Sequence, residues 1–521
     1  MRRFSVVFLL AFCVFGGRPA RADLDDHVWQ EIRSEHFRIF TNGDVDVVRD
    51  LAGDLENFRR IFMLMTGKTN VDSPVPFTII AVVNRNEFDE FFAQPFVAGV
   101  FGGNLLGSHA VIDLSTRRPD RNGKPVLAAD LIIKHEYVHF LLRTTSRIRY
   151  PLWYEEGFAE FLSTAEYDHG DVMVGMPVVD RHISLSSDFG LSSMDHLLAS
   201  THADRQVRTD ILYAQGWLLV HHLMTTPDLL AKFVDYLKRF DETGDSVASF
   251  RAVYGDKTDE IQHDLVREAR RGRYHYITLT PKTPFPEPKV SVHPVSQTEI
   301  RLQIAEALPV FGRDDERLQK VRELYERVLA GEPDNARAIA GLAHLLLRKG
   351  DLDAAAAMLA RLPEQTEDES ALTARGDLAL AQAVWRALDP SLLQRARECY
   401  MAVLRRNNQS AEAFFSYGLT YLGSDENPKE GLLAFDQATY LVPGDLDAAM
   451  FYGLLQLQAG HFAEATKLER HVVVAGTPSS VAIARQVLAL AGQRDAAGGR
   501  ELAGSVLALQ VAGRFEGPEG D

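Results

Sequence analysis

Two histidines and a glutamate lie in an otherwise apolar run, IKHEYVHFLL, residues 133–142. His135 and His139 are four residues apart, so on a helix both imidazoles point the same way and can reach one metal ion. Glu136 lies about 100° further round the helix, where it can act on a water bound to that ion without binding the ion itself. The alternative is a core helix that tolerates a few polar residues.

A third ligand is needed, because two histidines do not hold zinc firmly. The segment PLWYEEGFAEF, residues 151–161, follows and is predicted to be a second helix. If it packs against the first helix, Glu156 completes a His, His, Glu ligand set. Glu160, one turn later, can then accept a hydrogen bond from a ligating imidazole and fix its tautomer. Gly157 is expected to let these two helices approach closely. The pattern favours zinc over a satisfied polar cluster in a core.

HExxH followed by W-x-x-E-G-x-A resembles the gluzincin metallopeptidases, the clan of thermolysin and aminopeptidase N, with Glu156 at the third-ligand position. More similar still is a bacterial group of exported peptidase-MA-like proteins. These proteins have the motifs HE-x-x-H and E-G-x-A-E, a glycine-rich strand before them and tetratricopeptide repeats C-terminal to them. The resemblance implies a zincin-like domain that binds Zn²⁺ and hydrolyses peptide bonds. Glu136 would be the general base, which takes a proton from the water and passes it to the leaving amine.

A second matching segment is TDILYAQGWLLVHHL, residues 209–223. In the aminopeptidase branch, a Tyr-x-x-Gly opens a helix after the third ligand, and the tyrosine hydroxyl donates to the developing oxyanion. Tyr213 and Gly216 match this pattern, so the resemblance implies that Tyr213 is the oxyanion donor. From the residues alone, Tyr213 is equally well explained as an aromatic at the start of a core helix.

The sequence departs from the aminopeptidase pattern at two places. Glu155 stands where an asparagine precedes the ligand, so two adjacent carboxylates compete, and Glu156 is preferred because it shares a helical face with Glu160. The Gly-x-Met-Glu-Asn motif that holds a free amino terminus is absent, and FGGNLLGSHAVIDL, residues 101–114, occupies the comparable place. A strand there could pair with an extended peptide. An endopeptidase or a narrow-specificity protease is therefore favoured over an aminopeptidase.

Three other histidines are weaker candidates. His221 and His222 lie beside leucine and methionine in a predicted helix, where a packed or surface histidine is the usual case. His109 precedes a predicted strand and could face the cleft.

The elements that position these residues fall in residues 23–280, where predicted strands precede a run of helices. One helix is expected to stop at Gly67, and the histidine helix is expected to begin with Pro125 in its first turn. This order indicates an α+β arrangement, here a zincin-like metallopeptidase domain.

Residues 281–315 carry five prolines between Pro281 and Pro294 and are predicted to be a linker or an extended surface strand. From 316 to 515 the chain becomes rich in alanine and leucine. Gly418 and Gly453 are 35 residues apart, as are Tyr400 and Phe435. This period resembles tetratricopeptide repeats and predicts an all-α solenoid that docks a protein or peptide, although an irregular helical domain is the alternative.

The N-terminus has the pattern of a secretory signal peptide. Two arginines precede an apolar run, and an A-x-A pattern ends at Ala22, so we expect cleavage after that residue. An uncleaved anchor is the alternative, but the apolar run is short for a membrane span. Of the two cysteines, Cys13 leaves with the signal, and Cys399 alone forms no internal disulfide. A periplasmic or secreted protein with no membrane insertion after cleavage is predicted.

Length and charge limit the remaining function classes. With 521 residues the chain is expected to form two or three domains. A formal charge of −16 argues against nucleic acid and anionic membranes as partners. The sequence therefore predicts an exported zinc peptidase with a repeat domain. The alternative is a repeat scaffold with an inactive, metal-binding peptidase-like domain.

Overall fold

The computed structural model describes residues 24–74, 76–94, 97–103, 105, 107–119, 125–186 and 190–513. The predicted signal peptide, residues 1–22, lies outside the described residues. Within these ranges, no helix combines the length and the apolar character needed to cross a membrane.

The N-terminal region has most of its strands first and most of its helices later. It opens with a 3-10 helix, Leu24–Asp26, and its strands are β1 (Gln30–Arg33), β2 (Arg38–Thr41), β3 (Phe77–Val82), β4 (Gly99–Gly103), β5 (Ser108–Asp113), β6 (Arg117–Pro119), β7 (Pro125–Leu127), β8 (Glu166–Asp168), β9 (Asp171–Val174), β10 (Ile277–Leu279) and β11 (Ser291–Pro294). Its helices are α1 (Val45–Thr66), α2 (Arg85–Phe88), α3 (Ala128–Thr145), α4 (Leu152–Ser163), α5 (Val179–Ser186), α6 (Met194–Ala199), α7 (Thr209–Thr225), α8 (Pro227–Thr243), α9 (Ser246–Tyr254) and α10 (Lys257–Arg271).

A six-stranded sheet with strand order β11-β1-β2-β3-β5-β4 lies at the centre of this region. β2, β3 and β5 are parallel, while β4 at one edge and β1 and β11 at the other are antiparallel to their neighbours. All six residues of β3 are buried, as expected for a strand covered on both faces. α1 and α3 pack on one face, and α3 also lies beside the edge strand β4.

Local signals in the sequence account for where α1 ends but not for where α3 begins. Gly67 follows α1 in the left-handed conformation, with φ 68°, so the predicted stop is confirmed. The prediction that Pro125 stands in the first turn of the histidine helix is wrong. Residues 125–127 form β7, which pairs with β6, and α3 begins at Ala128. Pairing in the hairpin holds this backbone extended, so the helix starts only after it.

The predicted linker, residues 281–315, contains more regular structure than expected. Its proline-rich first part has no helix or strand, but β11 joins the six-stranded sheet beside β1. An 11-residue helix, α11 (Gln297–Ala307), follows, with Ser296 as its N-cap. No proline falls between Pro294 and Pro309, so a helix is sterically free to form over residues 297–307.

The C-terminal region is all helical in its described part. After a 3-10 helix, Leu308–Val310, its helices are α12 (Asp315–Gly331), α13 (Ala336–Arg348), α14 (Leu352–Leu359), α15 (Glu369–Trp385), α16 (Pro390–Arg406), α17 (Ala411–Leu419), α18 (Lys429–Leu441), α19 (Leu446–Gln458), α20 (Phe462–Ala475), α21 (Pro478–Gln493) and α22 (Ala496–Val511). Successive helices pack as antiparallel pairs joined by short turns, as in a helical repeat array.

Glycines of this repeat array pack against aromatic rings of the next helix. A Cβ atom built on Gly418 would lie 2.9 Å from ring atoms of Phe435, which is the small-against-aromatic packing that the 35-residue spacing predicts. Gly453 differs, because the carboxyl group of Glu469 packs against it instead of a ring. Glu469 is fully buried, and burial raises the pKa of this carboxyl well above its ordinary value.

The repeat array shares a core with the sheet. Strand residues such as Ile80, Val100 and Val111 form one apolar cluster with Ile300 of α11 and Leu324 of α12. α11 and the first repeat helix, α12, therefore cover the face of the sheet opposite α3.

Candidate metal centre

Three side chains from α3 and α4 converge on one point. Nε2 of His135 and Nε2 of His139 are 3.1 Å apart, as expected for imidazoles one turn apart on one helical face. Oε2 of Glu156, from α4, lies 3.3 Å from the first of these nitrogens and 3.5 Å from the second. One ligand atom from each residue falls within 4.8 Å of the others, so a single ion can contact all three.

The donor set fits a divalent zinc ion. Two imidazole nitrogens and one carboxylate oxygen leave a fourth position for water, as in catalytic zinc sites. Oε2 of Glu156 is buried, and its contacts of 3.3 and 3.5 Å with the two imidazole nitrogens do not have the geometry of a hydrogen bond, although a buried carboxylate oxygen normally needs a partner. A cation bound between the three side chains would satisfy this oxygen.

The carboxylate of Glu156 and the imidazole of His139 shift each other's pKa values. Burial opposes the charged form of His139, but the carboxylate of Glu156 outweighs burial and raises the pKa of this imidazole to about 9. Burial likewise opposes ionisation of Glu156, and the two imidazoles outweigh it and hold the pKa of the carboxyl well below its ordinary value. The cluster without a metal therefore holds an ionised carboxylate beside a protonated imidazole.

Glu136 lies next to the three candidate ligands. Its side chain is half-buried, and its negative charge contributes to the raised pKa of His139, so the carboxylate is close to that imidazole. Its position on α3, one residue after His135, leaves it beside the ligand atoms rather than among them.

Glu156, and not Glu155, faces the histidines. Oε2 of Glu155 lies 3.2 Å from Nε2 of His202, on a different side of α4. Helix geometry explains the separation, because adjacent helical residues point about 100° apart. Glu156 is therefore the one of the two carboxylates that lies with the histidines, and its role as a metal ligand stays a prediction.

Glu160 lies behind His135, with its Oε1 atom 3.6 Å from the Nδ1 atom of this imidazole. The same oxygen accepts hydrogen bonds from Nε and Nη2 of Arg181, at 3.1 and 2.8 Å. Arg181 belongs to α5 and fixes Glu160 against the histidine. Sequence reasoning missed Arg181, because it follows Glu160 by 21 residues and belongs to no recognisable motif.

Gly157 makes a close contact with a helix other than the one predicted. The sequence predicts that it brings α4 close to α3, but a Cβ atom at Gly157 would lie 2.4 Å from the backbone of Gly216, in α7. The α4–α7 crossing is therefore the one that requires glycine. A backbone contact leaves no flexible side chain to move aside, which is why neither position accepts even alanine without a shift.

This crossing places Tyr213 at the cluster. Tyr213 lies one turn before Gly216, and its ring centre is 5.9 Å from that of His135. The guanidinium of Arg181 lies over the ring of Tyr213, 4.9 Å from the ring centre. The predicted oxyanion donor is thus beside a predicted ligand, and Arg181 contacts both Tyr213 and Glu160.

The weaker histidine candidates lie away from the cluster. Nε2 of His221 is 2.7 Å from the carbonyl oxygen of His275, and Nδ1 of His222 is 2.8 Å from Glu268, so both have structural partners. His109 alternates along β5 with residues that face α3, which places it on the opposite face of the sheet. It does not line the cleft beside the two ligand histidines.

Comparison with known proteins identifies part of the repeat array. Residues 313–382 match the tetratricopeptide repeat family. No curated protein matches the chain. The match runs from the start of α12 into α15, and the helix pairs after it continue the array. Repeats of this kind form extended surfaces on which proteins dock.

Proposed function

We propose that this protein is a zinc-dependent peptidase whose repeat array docks a protein or peptide. The observation that carries the proposal is the convergence of His135, His139 and Glu156 within 4.8 Å, with Glu136 beside them. A structural metal site would have four protein ligands, whereas three ligands and an adjacent carboxylate suit catalysis.

Zn²⁺ held by these three side chains would supply a Lewis acid that lowers the pKa of a bound water and polarises a carbonyl group. Glu136 accepts the proton of the attacking water and delivers it to the leaving amine. Tyr213 donates its hydroxyl hydrogen bond to the oxygen on which negative charge develops. Glu160, held by Arg181, orients the imidazole of His135.

The edge strand β4 supports an extended peptide as the substrate. Among the described strands β4 pairs only with β5, at the end of the sheet, and it lies close to α3. A substrate can add to this edge by main-chain hydrogen bonds and so lie across the ligands. No motif for a free amino terminus is present in this stretch of sequence, so we propose an endopeptidase.

Export to the periplasm or outside the cell is part of the proposal. Its support is the N-terminal sequence, with two arginines, an apolar run and Ala20–Ala22 in an A-x-A pattern.

A scaffold whose metal-binding domain is inactive remains the second candidate, because the repeat family is independent of catalysis. The two are separated by measuring bound zinc in the mature protein, and cleavage of an unstructured protein before chelation, after chelation and after zinc is restored. The peptidase proposal expects about one zinc per chain and cleavage that is lost and recovered. Stoichiometric zinc with no cleavage in any state would instead support the scaffold.

A further inference from the structure

A turn of the repeat array contacts the end of the helix that carries the two ligand histidines. The last carbonyl groups of a helix have no partner within it. Near the end of α3, the carbonyl oxygen of Arg143 accepts a hydrogen bond from the N–H of Gly444, at 2.8 Å. A Cβ atom at Gly444 would lie 2.7 Å from Cα of Arg143, so the turn before α19 fits here because it carries glycine.

The side chain of Arg143 joins three elements. It follows His135 and His139 at four-residue steps, so it continues the row of ligands along one face of α3. Its Nη1 atom donates to the carbonyl oxygen of Gly103, at 3.3 Å, where the edge strand β4 ends. Its Nη2 atom donates to Oδ2 of Asp445, at 3.1 Å, in the repeat array. Asp445 is itself fixed, because its other oxygen caps α19.

Apolar contacts from the same side enclose the end of β4. Leu105, in the turn after the strand, packs against Ala411 and Val442 of the repeat array. At Gly102 a Cβ atom would lie 2.6 Å from a methyl group of Val310, which precedes the repeats. The C-terminal end of β4 therefore packs against the repeat array and the segment that precedes it.

From this network we propose that Arg143 is a positioning residue, which fixes the substrate-pairing strand β4 against the ligand helix with the repeat array as its support. The inference rests on the proposed function insofar as β4 receives the substrate. Peptide binding then depends on the repeat array, because the array holds one end of the strand that forms main-chain hydrogen bonds with the peptide.

Loss of this support should weaken substrate binding without weakening metal binding. In Arg143→Met the end of β4 loses a charge-assisted hydrogen bond, so KM for an extended peptide should rise roughly tenfold, the scale of one such bond, with kcat retained. Lysine reaches one partner but lacks the fork that reaches both, so Arg143→Lys should give an intermediate KM. Zinc affinity should be unchanged in both variants.

Amide hydrogen exchange of residues 99–103 in the full chain tests the support without any substrate. We expect faster exchange at the β4 amides that bond to β5 in Arg143→Met. Gly444→Ala, which displaces the repeat turn and leaves Arg143 intact, should give the same result. The matched control is Arg327→Met, which removes another ion pair between the repeat array and the N-terminal region, to Asp25, 2.9 Å away.

Unchanged exchange in β4 for both Arg143→Met and Gly444→Ala would overturn the inference, and so would equal acceleration in Arg327→Met. An unchanged KM in Arg143→Met, with wild-type cleavage intact, would overturn it while leaving the peptidase proposal standing. If these variants exchange faster but the wild-type protein cleaves no substrate, the repeat array supports β4 as inferred and the peptidase proposal is refuted.

Discussion

At the scale of single residues, the raised pKa of His139 has a consequence for metal binding. With a pKa of about 9 the imidazole is protonated at pH 7, whereas a ligand nitrogen must be neutral. Zinc must therefore displace this proton. Glu156 adds no proton uptake or release, because its pKa lies well below its ordinary value and it is already ionised.

The predicted result is release of about one proton per zinc at pH 7, and an affinity that rises roughly tenfold per pH unit below pH 9. Calorimetric titration of zinc into the metal-free protein, in two buffers with different ionisation enthalpies, measures the number of protons. An affinity that stays constant from pH 6.5 to 8.5 would contradict this assignment of charge.

The two adjacent carboxylates of α4 allow a matched test of the ligand set. Glu156→Gln removes a charged ligand and should lower zinc affinity by more than the 10- to 100-fold that is typical of an outer-shell change. Glu155→Gln should leave affinity unchanged, because Glu155 faces His202. Competition with a chromophoric chelator measures both affinities, and equal losses in the two variants would show that the ligand is misassigned.

At the scale of helices, the α4–α7 crossing should be sensitive to a single methyl group. Gly216→Ala places a Cβ atom 2.8 Å from the carbonyl oxygen of Trp153, so the two backbones must separate. We expect a loss of about 1–3 kcal/mol in the free energy of unfolding, the usual cost of overpacking. Zinc affinity should fall as well, because α4 carries Glu156.

Gly492→Ala in α21 is the control for this prediction. A Cβ atom there meets nothing within 4 Å, and alanine favours the helix, so stability should be kept or slightly increased. Denaturant unfolding compares the two variants. A Gly216→Ala protein as stable as the control would mean that the α4–α7 crossing has room for the added methyl group.

At the scale of the whole molecule, the N-terminal region depends on the repeat array for part of its core. Val100, Val111 and Ile80 of the sheet are at most 7% exposed because α11 and α12 cover them. Burial of each such side chain stabilises the folded state by about 1.5–3 kcal/mol. A protein that ends at residue 295 should therefore expose an apolar sheet face and bind a hydrophobic dye such as ANS. A soluble, cooperatively folded fragment without dye binding would contradict the shared core.

Local spacing explains which features the sequence could predict. The four-residue steps from His135 to His139 and from Glu156 to Glu160 determine which side chains share a helical face, and the 35-residue period indicates stacked helix pairs. A metal at the cluster remains a prediction from the donor set. The sequence could not show which helix Gly157 meets, since α7 begins more than 50 residues later.

Contacts between distant parts of the chain were not predictable from such spacing. Arg181 reaches Glu160 from a separate helix, and Gly444 meets Arg143 across about 300 residues of chain. Neither pair carries a local signal, because an arginine or a turn glycine has many ordinary roles. The start of α3 was misplaced for a related reason, since pairing with β6 overrode the helix-starting preference of Pro125.

Hydrolysis of peptide bonds with Glu136 as the general base is tested by the variant Glu136→Gln. The measurement is the rate of cleavage of an unstructured protein by zinc-loaded wild type, Glu136→Gln and the Glu155→Gln control. We predict about one zinc per chain in all three, wild-type rates in the control, and a rate lowered at least about 10²-fold in Glu136→Gln, the usual contribution of a general base. Equal cleavage by wild type and Glu136→Gln would show that Glu136 is not the general base.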